Sequence, residues 1–178
     1  MNVLELDTDS WQQWRRQVRA EMRSCLSAKL RPDARTNAWS PVQVFHHVLL
    51  ADVSIIKLLN RLIEKYSDIP RRTSPQFIWP IRKEFAAFPF DKALLVEATK
   101  GTEPNPDIGE NEIKELETIS EAGFSALDEP MRKLLLDEVS FPHRLMGTLN
   151  FYEWLAFSTL HEELHLKQIV PDLQGKSS

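Results

Sequence analysis

Hydrophobic positions recur every three or four residues along most of the chain, which is the spacing of amphipathic helices. Strand-like alternation is scarce, and neither an internal repeat nor a low-complexity tract occurs. The pattern predicts an all-α protein whose first helix runs from about Thr8 to Lys29. Its apolar stripe consists of Trp11, Trp14, Val18, Met22 and Leu26.

The second predicted helix has the clearest start. Ser40 suits the cap position, Pro41 suits the first helical position, and Gln43 stands three residues after the cap, as in a capping box. The helix should continue to about Tyr66. Its apolar face consists of Val44, Phe45, Val48, Ile55, Ile56, Leu59 and Leu62.

Residues 68–109 hold six of the eleven prolines and therefore predict a long connection. Short helices are expected within it near residues 83–87 and 92–97. A third helix is predicted from about Asn111 to Leu127, and its inward positions are Ile113, Leu116, Ile119, Phe124 and Leu127. Pro130 should interrupt the helical pattern, residues 131–139 should add a turn or two, and residues 141–147 should be irregular.

The fourth predicted helix begins at Asn150, because Glu153 stands three residues after it at the capping-box spacing. It should end at Pro171. Four amphipathic helices with one long crossover predict a four-helix bundle that occupies residues 1–178 as a single domain. Metal sites in such bundles are built from side chains on facing helices.

Composition is ordinary for one domain with a sizeable core. The net charge of −4 argues against a nucleic-acid partner, and we interpret Arg15, Arg16, Arg19 and Arg23 as a solvated helix face. The single cysteine, Cys25, allows no intrachain disulfide and is interpreted as a small buried apolar residue. With no apolar run of membrane-spanning length and no sign of a signal peptide, the expected location is the cytoplasm, without membrane attachment.

The candidate chemistry begins with His161 and His165, which are four residues apart in the fourth helix and therefore share a face. The segment matches H-E-x-x-H, a motif in which both histidines bind zinc and the glutamate acts as a general base. A zinc protease also needs a third ligand, yet no histidine follows His165. The protease is therefore disfavoured, and we interpret Glu162 as a solvated residue.

A helical wheel indicates that the histidine pair points inward. One stripe, about 100° wide, holds the pair together with aromatic and polar residues; its members are Trp154, Phe157, Ser158, His161, His165 and Gln168. Buried imidazole nitrogens need partners, and one metal ion would satisfy two of them at once. Two unrelated core histidines are the alternative.

A third ligand is expected from the second helix, where His46 and His47 border the apolar face. Adjacent helical residues point about 100° apart, so at most one of them can be a ligand. His143, before the fourth helix, is a further alternative. Gln168 is a candidate to orient a ligand, or to form a helix-end hydrogen bond. Asp52, on the apolar side of the second helix, either supports the site or pairs with an arginine.

Two segments resemble motifs of one family. Residues 39–50 (WSPVQVFHHVLL) resemble the opening motif W-S-x-x-E-I-L-x-H-L of the DinB/YfiT-like superfamily. Residues 145–169 (LMGTLNFYEWLAFSTLHEELHLKQI) resemble the closing G-x-L-t-x-x-E-W…H-x-x-x-H-x-x-Q-I of the same family. Gln43 departs from the usual glutamate, and Leu164 stands where many relatives carry histidine or another polar residue. Neither departure touches a proposed ligand.

The resemblance implies an up-down-down-up four-helix bundle with a three-histidine metal site. It selects His47, rather than His46, as the ligand that joins His161 and His165. Family members resemble metal-dependent hydrolases or thiol-dependent S-transferases, including mycothiol- and bacillithiol-using enzymes and a maleylpyruvate isomerase. The implied cofactors are a divalent transition metal (zinc, nickel or iron) and a low-molecular-weight thiol, and the implied partner is a small-molecule substrate. A non-catalytic metal-binding or protein-binding bundle is the alternative, and a homodimer is compatible with either.

Overall fold

The computed structural model describes residues 2–27, 39–66, 68–74, 77–90 and 100–169. These residues are mostly helical, with one small two-stranded sheet that the sequence did not predict. After a 3₁₀ turn at Val3–Glu5, the elements are α1 (Thr8–Ser27), α2 (Pro41–Lys65), α3 (Lys83–Ala86), α4 (Glu110–Ala126), α5 (Asp128–Lys133), β1 (Ser140–His143), β2 (Gly147–Asn150) and α6 (Phe151–Ile169). The helix expected near residues 92–97, and the predicted ends of the first and fourth helices at Lys29 and Pro171, lie outside the described residues.

Helices α2 and α6 start with the predicted capping boxes. Ser40 Oγ accepts from the Gln43 amide at 3.3 Å, and the Ser40 amide donates to Gln43 Oε1 at 2.8 Å. At the start of α6, Asn150 Oδ1 accepts from the Glu153 amide at 2.9 Å, and the Asn150 amide donates to Glu153 Oε2 at 3.0 Å. The buried Glu153 carboxylate also accepts from Arg82 Nε and Nη2, which ties the long connection to α6.

Helix α2 lies at the centre of the fold, where it packs against α4 and α6, and α1 packs against α6 and α2. Every predicted apolar position of α2 is buried, and Cys25 on α1 packs against the core while only half-buried. By length and hydropathy α2 also resembles a membrane span, contrary to expectation. Because 56% of that stretch is buried inside the protein, a core helix accounts for the same composition.

The inward face of α4 is as predicted at Ile113, Leu116, Phe124 and Leu127, but it differs at one position. Ile119 is 46% exposed, and its neighbour Ser120 takes the buried position. Ser120 Oγ donates to Asp52 Oδ2 at 2.8 Å, so a polar partner on α2 explains the polar residue. Close by, Gly123 lets α4 approach α2, because a Cβ at this position would lie 2.8 Å from the Ile56 side chain.

The segment between α4 and α6 is more regular than predicted. The helical pattern breaks near Pro130 as predicted, because α4 ends at Ala126 and α5 begins at Asp128. Pro130 lies in the first turn of α5, where its missing N–H leaves no helical hydrogen bond unmade. Residues 140–150, expected to be irregular in part, form an antiparallel hairpin with Ser140 opposite Asn150 and His143 opposite Gly147. Gly147 has φ 71°, a conformation that glycine adopts without steric cost. The hairpin places His143 next to the start of α6.

A buried ionic network joins the four long helices of the described ranges. Arg19 Nη2 donates to Asp52 Oδ2 at 2.6 Å and to Glu162 Oε2 at 3.1 Å, and Arg19 Nε lies 2.6 Å from Glu162 Oε1. Ser120 completes it from α4. The prediction that Arg15, Arg19 and Glu162 are solvated is wrong, because all three are buried. The charges of Arg19 and Glu162 compensate each other, and Arg15 pairs with the partly exposed Glu121.

Candidate metal centre

Three histidine side chains meet where α2 packs against α6. Nε2 of His161 lies 3.3 Å from Nε2 of His47 and 3.1 Å from Nε2 of His165. One nitrogen from each ring lies within 4.8 Å of the other two. A tetrahedral ion bound by imidazoles at about 2.0–2.1 Å holds neighbouring nitrogens about 3.4 Å apart. The two shorter separations fit such an ion.

Hydrogen bonds at Nδ1 fix the tautomer of two of these rings. His47 Nδ1 donates to the Thr102 carbonyl oxygen at 2.7 Å, and His165 Nδ1 donates to Gln168 Oε1 at 2.8 Å. Because both oxygens only accept, each neutral ring carries its lone pair on Nε2. A hydrogen on His161 Nε2 could form a good hydrogen bond to only one of these two lone pairs. A cation could be bound by all three Nε2 atoms. The donor set therefore fits a metal ion.

Burial keeps the three rings neutral near pH 7. It is the main cause that lowers the pKa of His165 to about 4, and the neighbouring His47 adds to it. The pKa of His161 falls well below its usual value through removal from water and through the adjacent rings. Burial likewise lowers the pKa of His47, against the opposing effect of its bond to Thr102. Neutral imidazole is the form that binds metal ions.

The structure brings His47, rather than His46 or His143, together with the pair on α6. His46 is buried, but its Nδ1 accepts from the Asn105 amide at 3.0 Å. His143 Nδ1 accepts from the Leu145 amide at 3.2 Å. In both rings the Nδ1 lone pair thus accepts a hydrogen bond from a backbone amide. Within the described ranges, the group of side chains that could hold a metal ion consists of residues 47, 161 and 165.

The residues predicted to support the ligands behave differently from one another. Gln168 contacts His165 directly, as its position on the stripe predicted. Asp52 bonds to Arg19 and Ser120, the arginine pairing that the sequence left open.

The glutamate of the H-E-x-x-H segment is turned away from the histidines. Glu162 is buried against Arg19. Burial, reinforced by the charge of Asp52, raises the pKa of Glu162 to about 7, although Arg19 opposes the shift. Burial alone would lower the pKa of Arg19, but its two carboxylate partners raise it. Glu162, by contrast, shares its one guanidinium partner with Asp52, so the charge of Arg19 does not offset the effect of burial on its pKa. A general base on the zinc-protease pattern is therefore absent from this position.

Several neighbours of the centre were not identified as site residues from sequence. The Trp39 ring, 36% exposed, lies 5.0 Å from the His47 ring, and Phe157 stacks on His161 at 5.6 Å with an interplanar angle of 28°. The contact of the Thr102 carbonyl could not be predicted, because the residue type does not indicate where a backbone oxygen lies. Trp39 and Phe157 had signals, the first in the opening motif and the second on the histidine stripe.

Part of the long connection contacts α2 beside the centre. Thr102 and Asn105 contact the neighbouring histidines of α2 through their backbone. Trp79 and Trp154 are buried in the core and do not line the centre's surface.

Comparisons of the chain with protein-family models, with curated proteins and with solved structures gave no significant match. The resemblance to the DinB/YfiT-like superfamily therefore stays an expectation based on two motifs. Support for a function comes from the geometry of the three rings and of their neighbours.

Proposed function

We propose that the chain is a DinB-like four-helix bundle that binds a divalent transition metal through His47, His161 and His165. The supporting observation is the convergence of three Nε2 atoms while oxygen acceptors hold Nδ1 of His47 and of His165. Oxygen acceptors of this kind orient histidine ligands and make them more basic in known metal sites. Helices α1, α2, α4 and α6 would form the bundle, and residues 68–109 its crossover.

We further propose that the protein is a metal-dependent hydrolase or a thiol-dependent S-transferase that acts on a small molecule. Three protein ligands leave a coordination position free, as in catalytic rather than structural zinc sites. The bound metal would act as a Lewis acid that makes water or a low-molecular-weight thiol nucleophilic at neutral pH. Trp39 and Phe157 would flank the reacting groups with aromatic surface. Zinc, nickel and iron all suit imidazole ligands.

Non-catalytic metal binding is the second candidate, and one observation favours it. The carboxylate nearest the ligands in sequence, Glu162, is engaged by Arg19 instead of facing the centre. An enzyme at this site would have to manage without that residue as a base. A metal store or sensor requires no such group.

The metal assignment is tested by metal content and by zinc titration of purified protein. Wild type is expected to bind about one ion per chain, and His47→Ala should lose far more than the about 10–100-fold of affinity that removal of a supporting partner costs. His46→Ala is the matched control, because His46 is buried on the same helix and contacts Asn105. Equal zinc affinity of wild type and His47→Ala, with both folded, would rule out the assignment.

Catalysis is tested separately on the metal-loaded protein. Ester hydrolysis and thiol transfer to a chloronitrobenzene are measured with small thiols for wild type, His46→Ala and His47→Ala. Metal-dependent turnover that only His47→Ala loses would support the enzyme. Metal binding without turnover above the His47→Ala background would favour the non-catalytic candidate.

A further inference from the structure

His143 lies beside the metal centre without belonging to it. Its ring, at the end of β1, is 4.6 Å from the Phe157 ring and 5.2 Å from the Trp154 ring. Phe157 in turn stacks on His161. Because residues 157 and 161 are four residues apart, about 6 Å along the axis, the hairpin holds His143 about one turn before the first ligand of α6.

The neutral His143 ring is the opposite tautomer from His47 and His165. The Leu145 amide can only donate, so Nδ1 of His143 carries a lone pair and Nε2 of the neutral ring carries the hydrogen. Burial lowers the pKa of His143, which keeps the ring neutral at pH 7. In His47 and His165 the lone pair is on Nε2. His143 therefore presents a hydrogen-bond donor where a metal ligand would present a lone pair.

This donor is open to a ligand. Nδ1 faces the hairpin turn, so Nε2, on the far edge of the ring, points away from that turn. The side chain is half-buried, and among the described residues no protein acceptor lies within hydrogen-bonding distance of Nε2. The aromatic surface between His143 and His161, supplied by Phe157, is apolar.

On the basis of the metal site proposed above, we propose that His143 is a specificity-determining residue that donates from Nε2 to an oxygen of the substrate. The substrate class that this arrangement fits has a metal-binding atom at one end, a short apolar spacer along Phe157, and a carboxylate or carbonyl oxygen at the other end. Such a bond would select among small thiols or hydrolysable compounds by the position of that oxygen.

The test uses cobalt-loaded protein, in which the visible absorption of Co²⁺ and its thiolate charge-transfer band report metal and thiol binding. The probes are 3-mercaptopropionate and 4-mercaptobutyrate, each compared with the alkanethiol of equal chain length, 1-propanethiol or 1-butanethiol. Wild type should bind at least one carboxylated probe about tenfold more tightly than its alkanethiol, as expected for a hydrogen bond to a charged acceptor. His143→Phe, which keeps an aromatic ring, should lose most of this preference.

Carboxylate contact with the metal itself does not depend on residue 143, so His143→Phe isolates the contribution of the donor. His143→Gln and His143→Met form a second pair of similar length, of which only the glutamine donates, and serve if the phenylalanine variant does not fold. Restoration of the preference by glutamine, but not by methionine, would support the proposal. An unchanged preference in His143→Phe or His143→Met, with cobalt bound, overturns the role of His143 alone. Failure of wild type to bind cobalt overturns both this role and the metal site.

Discussion

Replacement of Arg19 by methionine is expected to destabilise the fold strongly. The Arg19 side chain is 1% exposed, and it lies 2.6 Å from a carboxylate oxygen of Asp52 and 2.6 Å from one of Glu162. Methionine has a similar length and no charge. The variant would therefore leave two buried carboxylates without their shared counter-charge, and a buried charge without a partner is costly.

The cost can be worked out from the response of the carboxylates. Because the pKa of Glu162 is already raised to about 7, the main new cost is that of the other carboxyl group. Holding one carboxyl group protonated at pH 7, about three pH units above an ordinary pKa near 4, costs about 4 kcal/mol. Removal of one partner from a buried ion pair typically costs about 3–5 kcal/mol, which agrees with this figure. We expect the free energy of unfolding of Arg19→Met to fall by an amount in this range.

Urea unfolding of the metal-free protein at pH 7 measures the effect. Arg16→Met is the matched control, because Arg16 is exposed on the same helix, and its change should stay within about 0.5 kcal/mol. Combination of Arg19→Met with Asp52→Asn and Glu162→Gln should recover part of the loss, since the amides carry no charge. If Arg19→Met and Arg16→Met unfolded at the same urea concentration, the reasoning about the buried network would be refuted.

Three further changes test other parts of the structure. Gly123→Ala should lower the urea midpoint by an amount equivalent to about 1–3 kcal/mol, because its Cβ would meet Ile56 at 2.8 Å; a raised midpoint would contradict this close approach. Gln168→Ala should weaken zinc binding about tenfold by calorimetry, because the acceptor for His165 Nδ1 is lost, and unchanged affinity would argue against that role. Glu162→Gln should make metal-free stability rise more steeply with pH. The raised pKa of Glu162, about 7, makes this group's contribution fall as the pH rises from about 4.5 to 7, whereas the lowered pKa of His165, about 4, makes stability rise between about pH 4 and 6.5. Equilibrium unfolding between pH 4.5 and 7 checks this, and parallel curves for variant and wild type would count against it.

Helix boundaries were predictable where local chemistry decides them. The capping pairs Ser40–Gln43 and Asn150–Glu153 act within one turn, so the sequence alone shows them. Inward-facing polar residues could not be predicted in the same way. Ser120 takes a core position because its partner lies on another helix, and only the packed structure reveals that pairing.

The candidate site was predictable to the same extent. His161 and His165 follow from helical spacing alone, but the wheel left His46 and His47 undivided, because each borders the apolar face. The family resemblance favoured His47, and the packing of α2 against α6 brings that ring to the pair. The Thr102 carbonyl stayed hidden, since the residue type says nothing about where a backbone oxygen lies.

The two adjacent histidines of α2 hold one stretch of the long connection in opposite senses. His47 gives a hydrogen to the Thr102 carbonyl, and His46 takes one from the Asn105 amide. A change in the centre that rotates the His47 ring would pull on this stretch and weaken the bond from the Asn105 amide to His46. The Asn105 amide would then exchange its hydrogen for deuterium faster, so its exchange rate would report changes at the three histidine rings.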